Sequence, residues 1–484
     1  MGLSATLSNA LSGLTAASRA AEIVSSNVSN AQTEGYGRRE LALTAATLGG
    51  NGGGVAVSGV VRSVDQHTIG ERRLADAALG QSGAGVAFFD RLEMLVGLPD
   101  DPASLAAKTT QLQAVFLEAA SRPDSDTRLN AILTAATGLS DHLNSASDQV
   151  QNLRMDADRE IGQQVNTLNE SLVRIADLNY EIRLQIGGGN DASGLMDQRQ
   201  QLIDGVATIV PLNEVPRDNG QIALYTPGGA ILLDGRPAEI SFTTVGVIVP
   251  QMTQASGALS GLLINGQSIS TTDNGPLSGG SLIELFAVRD DYATTAQSQL
   301  DAVARDLVER FADPLVDPTL ALGSPGLFTD AGGVLNVANE VGLSGRLKIN
   351  ALVDPAAGGE IRLLRDGLGA SVPGPVGNAS IIQAMNDALE AAKIPASGGF
   401  SGAARSAVGL AGDFISHVNG KLRGAEANQS FASAKHDALK TIELRSGVDT
   451  DQEMQQLLLI ERAYSANARV ISTVDDMIQT LLGI

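Results

Sequence analysis

The stretch LSATLSNALSGLTAASRAAEIVSSNV, residues 3–28, repeats apolar residues at seven-residue spacing, and this spacing decides the fold of the N-terminal end. The stretch LLLIERAYSANARVISTVDDMIQTL, residues 457–481, has the same spacing at the other end. A narrow apolar stripe of this kind is a coiled-coil seam, which a partner helix must bury. We therefore predict that the N- and C-terminal helices pair as a coiled coil and contact copies of the chain. The predicted assembly seam comprises Leu3, Leu7, Leu14, Val28, Leu457, Tyr464, Asn467, Ile471, Ile478 and Leu481.

The outer face of the N-terminal helix is expected to be small and uncharged. Residues 1–33 contain two charged side chains, Arg19 and Glu22, but thirteen Ser, Thr or Asn residues. A lone surface helix normally carries charge pairs, whereas small polar residues allow neighbouring helices to approach closely. Glycines at 35 and 37 predict the end of the helix, and a β-like stretch at 40–48 and a Gly-rich turn at 49–54 follow.

Length, charge and cysteine content exclude several classes of protein. A chain of 484 residues exceeds one core, so two to four domains are expected. Its net charge of −21 argues against nucleic acid and anionic membrane surfaces as partners. No apolar run is long enough for a membrane span, and the N-terminus lacks the basic region of a signal peptide. The absence of Cys suits a cytosolic protein or one exported unfolded through a narrow channel.

Helical periodicity dominates residues 64–210. Asp101 before Pro102 predicts a helix N-cap, and the longest helix is expected from Ser140 to Ile186. Such a helix is roughly 65–70 Å long and should form the spine of an elongated rod. A shorter helix is predicted at about 194–209.

After residue 210 the periodicity changes from that of a helix to that of strands. A hairpin at 221–225 and 230–233, and strands at 245–249 and 261–264, are predicted. Helices are expected again at 281–312 and 403–445, with short strands between them. We therefore predict a mainly α fold with a β-rich domain inserted in the middle. The predicted division is a terminal coiled-coil domain (1–60 and 446–484), a helical rod domain (61–210, 281–312 and 375–445) and a β-rich outer domain (211–280 and 313–374).

The chain offers no arrangement typical of an enzyme. Its four histidines, His67, His142, His417 and His436, lack metal-ligand spacing, and no phosphate-binding or nucleophile motif is present. The acidic pairs at 290–291 and 475–476 lie on predicted helices, where neighbours point apart, so each is interpreted as a solvated face. No catalytic residue, metal or cofactor is expected.

Two terminal segments carry a family resemblance. The run from Asn27 to Arg38 resembles the signature of bacterial flagellar rod, hook and hook-associated proteins, and the run from Glu461 to Thr473 resembles their C-terminal signature. Two motifs at opposite ends, in the right order, make a strong match. The matching positions are Asn27, Asn30, Thr33, Gly35, Tyr36, Arg38, Arg462, Ala463 and Asn467.

A third segment narrows the resemblance. Residues 193–203, which contain Leu-Met-Asp-Gln-Arg, are similar to a segment of the hook-associated protein 1 family, as are residues 446–453, with Asp449 in place of Asn. The resemblance implies a structural junction protein that connects hook to filament by self-assembly. It also implies export through the flagellar type III apparatus without a cleaved signal peptide, an extracellular location, and a cytoplasmic chaperone on the C-terminal region. Its partners would be its own copies, the hook protein and the next hook-associated protein. The alternatives are a hook or rod subunit, or a secreted enzyme or adhesin.

Overall fold

A computed structural model describes residues 2–48, 51–98 and 100–483, and its architecture is mainly helical. This confirms the predicted α class. Residues 49 and 50 of the predicted Gly-rich turn lie outside the described residues. The helices are α1 (Leu3–Ser29), α2 (Gln66–Val96), α3 (Leu105–Ser121), α4 (Asp126–Gly187), α5 (Ser193–Ile209), α6 (Gly280–Ala287), α7 (Ala293–Phe311), α8 (Leu363–Asp366), α9 (Ser380–Glu390), α10 (Ala407–Ser446) and α11 (Thr450–Leu482).

The strands form small antiparallel sheets. β1 pairs with β2 beside α1, β3 to β6 form one sheet in sequence order, β7 to β9 form another, and β10 pairs with β11. The strands are β1 (Arg38–Leu48), β2 (Asn51–Ser63), β3 (Asn213–Pro216), β4 (Ile222–Tyr225), β5 (Ile231–Asp234), β6 (Arg236–Pro237), β7 (Ile240–Ser241), β8 (Leu262–Ile264), β9 (Gln267–Ile269), β10 (Phe328–Asp330) and β11 (Leu347–Ile349).

Helix α4 is the spine of the molecule. It has 62 residues and is therefore about 93 Å long. It begins at Asp126, fourteen residues before the predicted start, because the apolar stripe continues through Leu129, Ile132 and Leu139, all fully buried. The helix ends at Gly187, one residue after the predicted end at Ile186.

Two apolar clusters lie along α4, separated by a polar layer. The first contains Leu129 to Val150 of α4 together with parts of α2, α3, α7, α9 and α10. The second contains Ile161 to Ile175 with α5, α6 and strands β4, β5, β7 and β8. Between them, Arg154 and Asp158 are buried on the same face of α4.

The two segments of the predicted β-rich domain contribute to different clusters. Residues 222–277 pack in the second cluster, whereas residues 316–368 pack in the first. The described parts of the two segments therefore do not share one core. An inserted β domain, the three-domain division and the coiled-coil pairing stay predictions.

Most predicted elements after residue 60 are confirmed. Helices α5 and α10 and the hairpin of β4 and β5 lie where the periodicity predicted them. The predicted helix at 281–312 is α6 and α7, joined by a π-helical turn at Val288–Tyr292.

Two local predictions were wrong. Asp101 does not cap α3: its carboxylate accepts a hydrogen bond from the Ala103 amide in a preceding turn, and Ser104 is the N-cap. The strand predicted at 245–249 is absent from the described chain. Side chains of α4 replace a neighbouring strand there, because Asp158 accepts a bond from the Val245 amide and Arg154 donates one to the Val249 carbonyl.

Candidate functional site

Helices α1 and α11 pack against each other along their lengths in antiparallel orientation. Near one end of the pair, the Asn27 side-chain amide donates to Glu453 Oε2 at 3.1 Å. Near the middle, a Cβ placed on Gly13 would lie 2.8 Å from Asn467 Nδ2, so the two backbones approach closely. The two contacts are fourteen residues apart on each helix. The pair therefore keeps one register over two heptads.

The predicted assembly seam lies mostly in this contact. On α11, Glu453 and Val474 are buried, and half-buried positions between and after them include pairs at the predicted seven-residue spacing. Leu3, Leu14, Val28, Leu457, Asn467, Ile471 and Ile478 are half-buried, whereas Leu7, Tyr464 and Leu481 are exposed. A role of these residues in assembly between copies stays a prediction.

Asn27 of the N-terminal signature is the centre of a cluster of hydrogen bonds. We call this cluster, formed by Asn27, Tyr36, Arg38, Arg39 and Glu453, the polar node. The side chain of Asn27 is 1% exposed and makes four hydrogen bonds. Oδ1 accepts from the Tyr36 hydroxyl at 2.9 Å and from the Arg39 amide at 3.0 Å. Nδ2 donates to the Arg39 carbonyl at 2.9 Å and to Glu453. Every donor and acceptor of this amide is satisfied, so no other side chain fits this position equally well.

Arg38 joins the signature to the start of α11. Its Nε donates to Glu453 Oε1 at 2.7 Å, and its Nη1 pairs with Glu40. Burial acts against the charge on this guanidinium, but the hydrogen bond and charge of Glu453 raise the pKa of Arg38. Glu453 is fully buried and shares its two oxygens between Asn27 and Arg38. Sequence reasoning missed its role, because a lone Glu gives no sign of a partner more than 400 residues away.

The remaining N-terminal signature residues shape the turn that leads out of α1. Asn30 donates to the Ser26 carbonyl, and Thr33 donates to Asn30 Oδ1 at 3.3 Å. Gly35 has a φ of +76°, and a Cβ there would lie 2.7 Å from Gln201 Cγ. Both the backbone conformation and the close approach require glycine at this position.

Asp197 connects the polar node to helix α5. Its Oδ1 accepts from the Gly37 amide at 3.0 Å and from Arg62 Nε at 2.7 Å, and its Oδ2 accepts from Arg39 Nη2 at 3.1 Å. One carboxylate thus holds the start of β1 and the end of β2. Two neighbouring glutamines support it: Gln200 accepts from Arg62, and Gln201 donates to the Glu34 carbonyl at 2.6 Å.

Arg199, two residues later, contacts Asn179 of α4. Its Nη1 donates to Asn179 Oδ1 at 2.7 Å and to the Gly220 carbonyl at 2.8 Å. Burial lowers the pKa of Arg199 to about 10, so it stays charged at neutral pH. Asn179 in turn bonds both backbone groups of Ile222 in β4. The segment resembling hook-associated protein 1 therefore links the terminal helices, α4 and the β3–β6 sheet.

The C-terminal signature is placed differently. Arg462, Ala463 and Tyr464 are exposed, and Asn467 donates to the Ala463 carbonyl within its own helix. These residues lie outside the polar node. Arg462, Ala463 and Tyr464 are open to other molecules, whereas Asn467 packs against Gly13 of α1.

A cavity of about 740 Å³ lies between the signature turn, α5 and the ends of α2 and α10. Arg72 crosses it, with Nη1 2.6 Å from Asp76 and Nη2 2.8 Å from Asp204. Burial opposes the charge on this guanidinium, but the carboxylates of Asp204, Glu443 and Asp76 raise the pKa of Arg72. Arg72 thus ties α2 to α5 and to the end of α10 by ion pairs.

Titratable groups elsewhere form structural contacts. Asp290 was interpreted as solvated, but it accepts two bonds from fully buried Arg289, so that interpretation was wrong. Asp475 and Asp476 are exposed as expected. Across residues 2–48, 51–98 and 100–483, no group of three or more acidic or histidine side chains could hold a metal ion. Over the same residues, no helix is long and apolar enough to cross a bilayer.

Three families match the chain in order. Residues 7–36 match "flagella basal body rod protein", residues 89–314 match "flagellar hook-associated protein FlgK helical domain", and residues 444–484 match "flagellar basal body rod FlgEFG protein C-terminal". All three are families of flagellar proteins, and none is an enzyme family.

Individual relatives carry the same description. Flagellar hook-associated protein 1 of Escherichia coli is 26% identical over 567 aligned residues, covering 100% of both chains. The protein of that name from Bacillus subtilis is 21% identical, with 98% of this chain and 97% of the relative covered. The Salmonella typhimurium protein is 28% identical over 56% of this chain and 54% of its own length. A flagellar hook junction protein structure from Burkholderia pseudomallei, 18% identical, has a TM-score of 0.45 over 54% of this chain and 46% of its own.

Proposed function

Since this chain belongs to the flagellar hook-associated protein 1 family, we propose that it is a structural component that connects the flagellar hook to the filament. The observation that carries the proposal is the order of the three family matches. The two terminal matches are to families described as basal body rod proteins. The central match, residues 89–314, is to a helical domain described for the hook-associated protein, and it favours a junction protein over a hook or rod subunit.

The terminal helices form the inner core of the assembly in this proposal, and the helical rod forms the next layer. The packing of α1 on α11 and the small polar side chains of α1 support this arrangement, because such surfaces allow helices of neighbouring copies to approach closely. The polar node fixes the angle between core and rod through Asp197. The outer surface is assigned to the segments 211–280 and 313–374.

The proposed partners are copies of the chain, the hook protein on one side and the next hook-associated protein on the other. The protein would leave the cell unfolded through the flagellar type III apparatus and act outside it. A cytoplasmic chaperone on the C-terminal region is also proposed. The exposed apolar side chains of α11 support it, since Leu458, Leu459 and Leu482 are each more than half exposed and need cover before assembly. A pull-down with residues 446–484 that recovers no small helical partner would refute the chaperone.

The proposed function is tested by electron microscopy of cells from which the gene is deleted. Complete hooks without filaments, with flagellin lost to the medium, are expected. Absent or shortened hooks would assign the chain to the hook or rod instead, and normal filaments would refute a structural role. Complementation with a chain lacking residues 455–484 should not restore filaments, whereas the full chain should.

A further inference from the structure

A carboxyl group is buried where α2 packs on α6. Glu284 of α6 is 7% exposed, and its Oε2 accepts a hydrogen bond from Gln81 of α2 at 3.2 Å. A Cβ placed on Gly85 would lie 2.7 Å from Oε1, so the carboxyl lies directly against the α2 backbone. Tyr292 supplies a second hydrogen bond. Both donors are neutral, and an ionised carboxylate buried among neutral groups is costly.

The acidic groups around Glu284 oppose its ionisation further. Asp273, in the loop before α6, is a negative charge that acts on it directly. Asp291 lies in the π-helical turn that follows α6, next to Tyr292. Glu160 of α4 is exposed and lines the cavity beside the contact. Like charges of this kind disfavour the ionised form of a carboxyl.

The cations near this contact are paired with other carboxylates. Arg289 of the π-helical turn is fully buried and lies 2.6 Å from Asp158. Arg91 of α2 and Arg159 of α4 both pair with Asp156, at 3.4 and 2.9 Å. Among the described residues, no cation forms an ion pair with the buried carboxyl. A proton is therefore the partner that neutralises this carboxyl.

A cavity adjoins the contact and gives it room to open. Its volume is about 550 Å³, and it lies between α2, α4 and α6. Ala84, which precedes Gly85, lines it from α2, and Leu285, which follows Glu284, lines it from α6. Because an ionised carboxylate needs hydration that the closed contact does not provide, ionisation favours separation of α2 from α6 on the cavity side.

We propose that Glu284 is a proton-controlled latch between α2 and α6. The contact is closed while the carboxyl carries a proton, and it opens toward the cavity when the carboxyl ionises. Leu282, Ile283 and Phe286 of α6 belong to the second apolar cluster. The latch therefore sets how firmly α2 is held on that part of the rod in media of different pH.

The direction of the pH dependence follows from the burial of Glu284. Burial raises the pKa of this carboxyl in the closed contact, although the hydrogen bonds of Gln81 and Tyr292 act in the opposite direction. In the open contact the carboxyl is hydrated and its pKa has the ordinary Glu value. The closed contact therefore gains stability as the pH falls through the raised pKa toward the ordinary value, and it gains no more below that value.

Hydrogen exchange of the full chain at about pH 8 and about pH 5 tests the latch. After correction for the intrinsic pH dependence of amide exchange, peptides from α6 and from residues 80–89 should exchange about tenfold more slowly at the lower pH. Glu284→Gln keeps the shape and an acceptor oxygen without a charge, so its exchange should be slow at both pH values. Glu160→Gln removes an exposed carboxyl at the same cavity and is the matched control, which should keep the pH dependence of the unaltered chain.

A single introduced thiol gives a second measurement, because the chain has no cysteine of its own. Ala84→Cys places a thiol on the cavity wall, and its rate of modification is divided by the rate for the same thiol in the unfolded chain. This ratio should be about tenfold higher at about pH 8 than at about pH 5, and it should not change with pH when Glu284→Gln is added. A pH dependence that persists with Glu284→Gln would overturn the latch, as would exchange or a thiol ratio that does not change with pH when Glu284 is present.

Discussion

Replacement of Asp197 by Asn tests whether one carboxylate orients the terminal helices on the rod. The side chain of Asp197 is 12% exposed and accepts from Arg62, Arg39 and the Gly37 amide. An Asn amide keeps the shape but loses the charge, and it directs an N–H group at a guanidinium. Each charge-assisted bond contributes about 1.5–3 kcal/mol, and the partial exposure of Arg39 favours the lower end. Losing two such bonds should cost about 3 kcal/mol.

This cost should appear as local opening of the joint. A change of about 3 kcal/mol corresponds to about a 100-fold larger open fraction. Hydrogen exchange measured by mass spectrometry should therefore accelerate about 100-fold in peptides from β1 and β2, with no change in peptides from the first half of α4. Asp177→Asn, an exposed substitution on α4, is the matched control.

Two results of the exchange experiment would refute the reasoning. Unchanged exchange in β1 and β2 would mean that Asp197 does not hold the hairpin to α5. Uniform acceleration through α4 would mean that the hairpin and rod unfold as one unit, so that no separate joint exists. Restored protection of the hairpin in the Asp197→Glu variant would support the charge as the active feature.

Three further perturbations test other parts of the structure. Burial raises the pKa of Glu284, so its ionisation opposes folding; the free energy of unfolding should rise as the pH falls through that raised pKa toward the ordinary Glu value, and Glu284→Gln should show a smaller rise in denaturant titrations across pH. Arg289→Met leaves Asp158 buried without its charge partner and should lower the free energy of unfolding by about 3–5 kcal/mol. Adding Asp158→Leu should restore most of this stability, and an equal loss in the single and double variants would contradict this account. Gly13→Val should displace Asn467 and make α11 more sensitive to protease by roughly tenfold, with no change expected if the helices do not pack here.

The sequence predicted the helices well because their signal is local. Apolar residues at seven-residue spacing appear wherever a helix lies on a continuous core, and α4, α10 and α11 all follow that rule. The largest error in a helix boundary is the start of α4. The apolar stripe of this helix continues without a break into Leu129 and Ile132, before the predicted start.

The polar node could not be derived from local pattern. Glu453 and Asn27 are 426 positions apart, and nothing near either residue indicates the other. Family resemblance marked Asn27, Tyr36 and Arg38 without giving their contacts. The prediction of a strand at 245–249 was wrong for a related reason. The hydrogen bonds that hold this segment come from Arg154 and Asp158 of α4, and no β-ladder is present there.

The distribution of apolar and charged contacts suggests how a junction protein keeps its shape while its parts reorient. Two apolar clusters along α4 hold the parts of the chain around them together, and apolar contacts have no preferred direction. Ion pairs and hydrogen bonds do have direction, and they lie at two places. One is Asp197 beside the β1–β2 hairpin, and the other is the polar layer of Arg154, Asp158 and Arg289 between the two clusters. Because charge pairs lose strength in water while apolar cores do not, opening should begin at these two polar levels. The angle between these parts is therefore expected to change before either part unfolds.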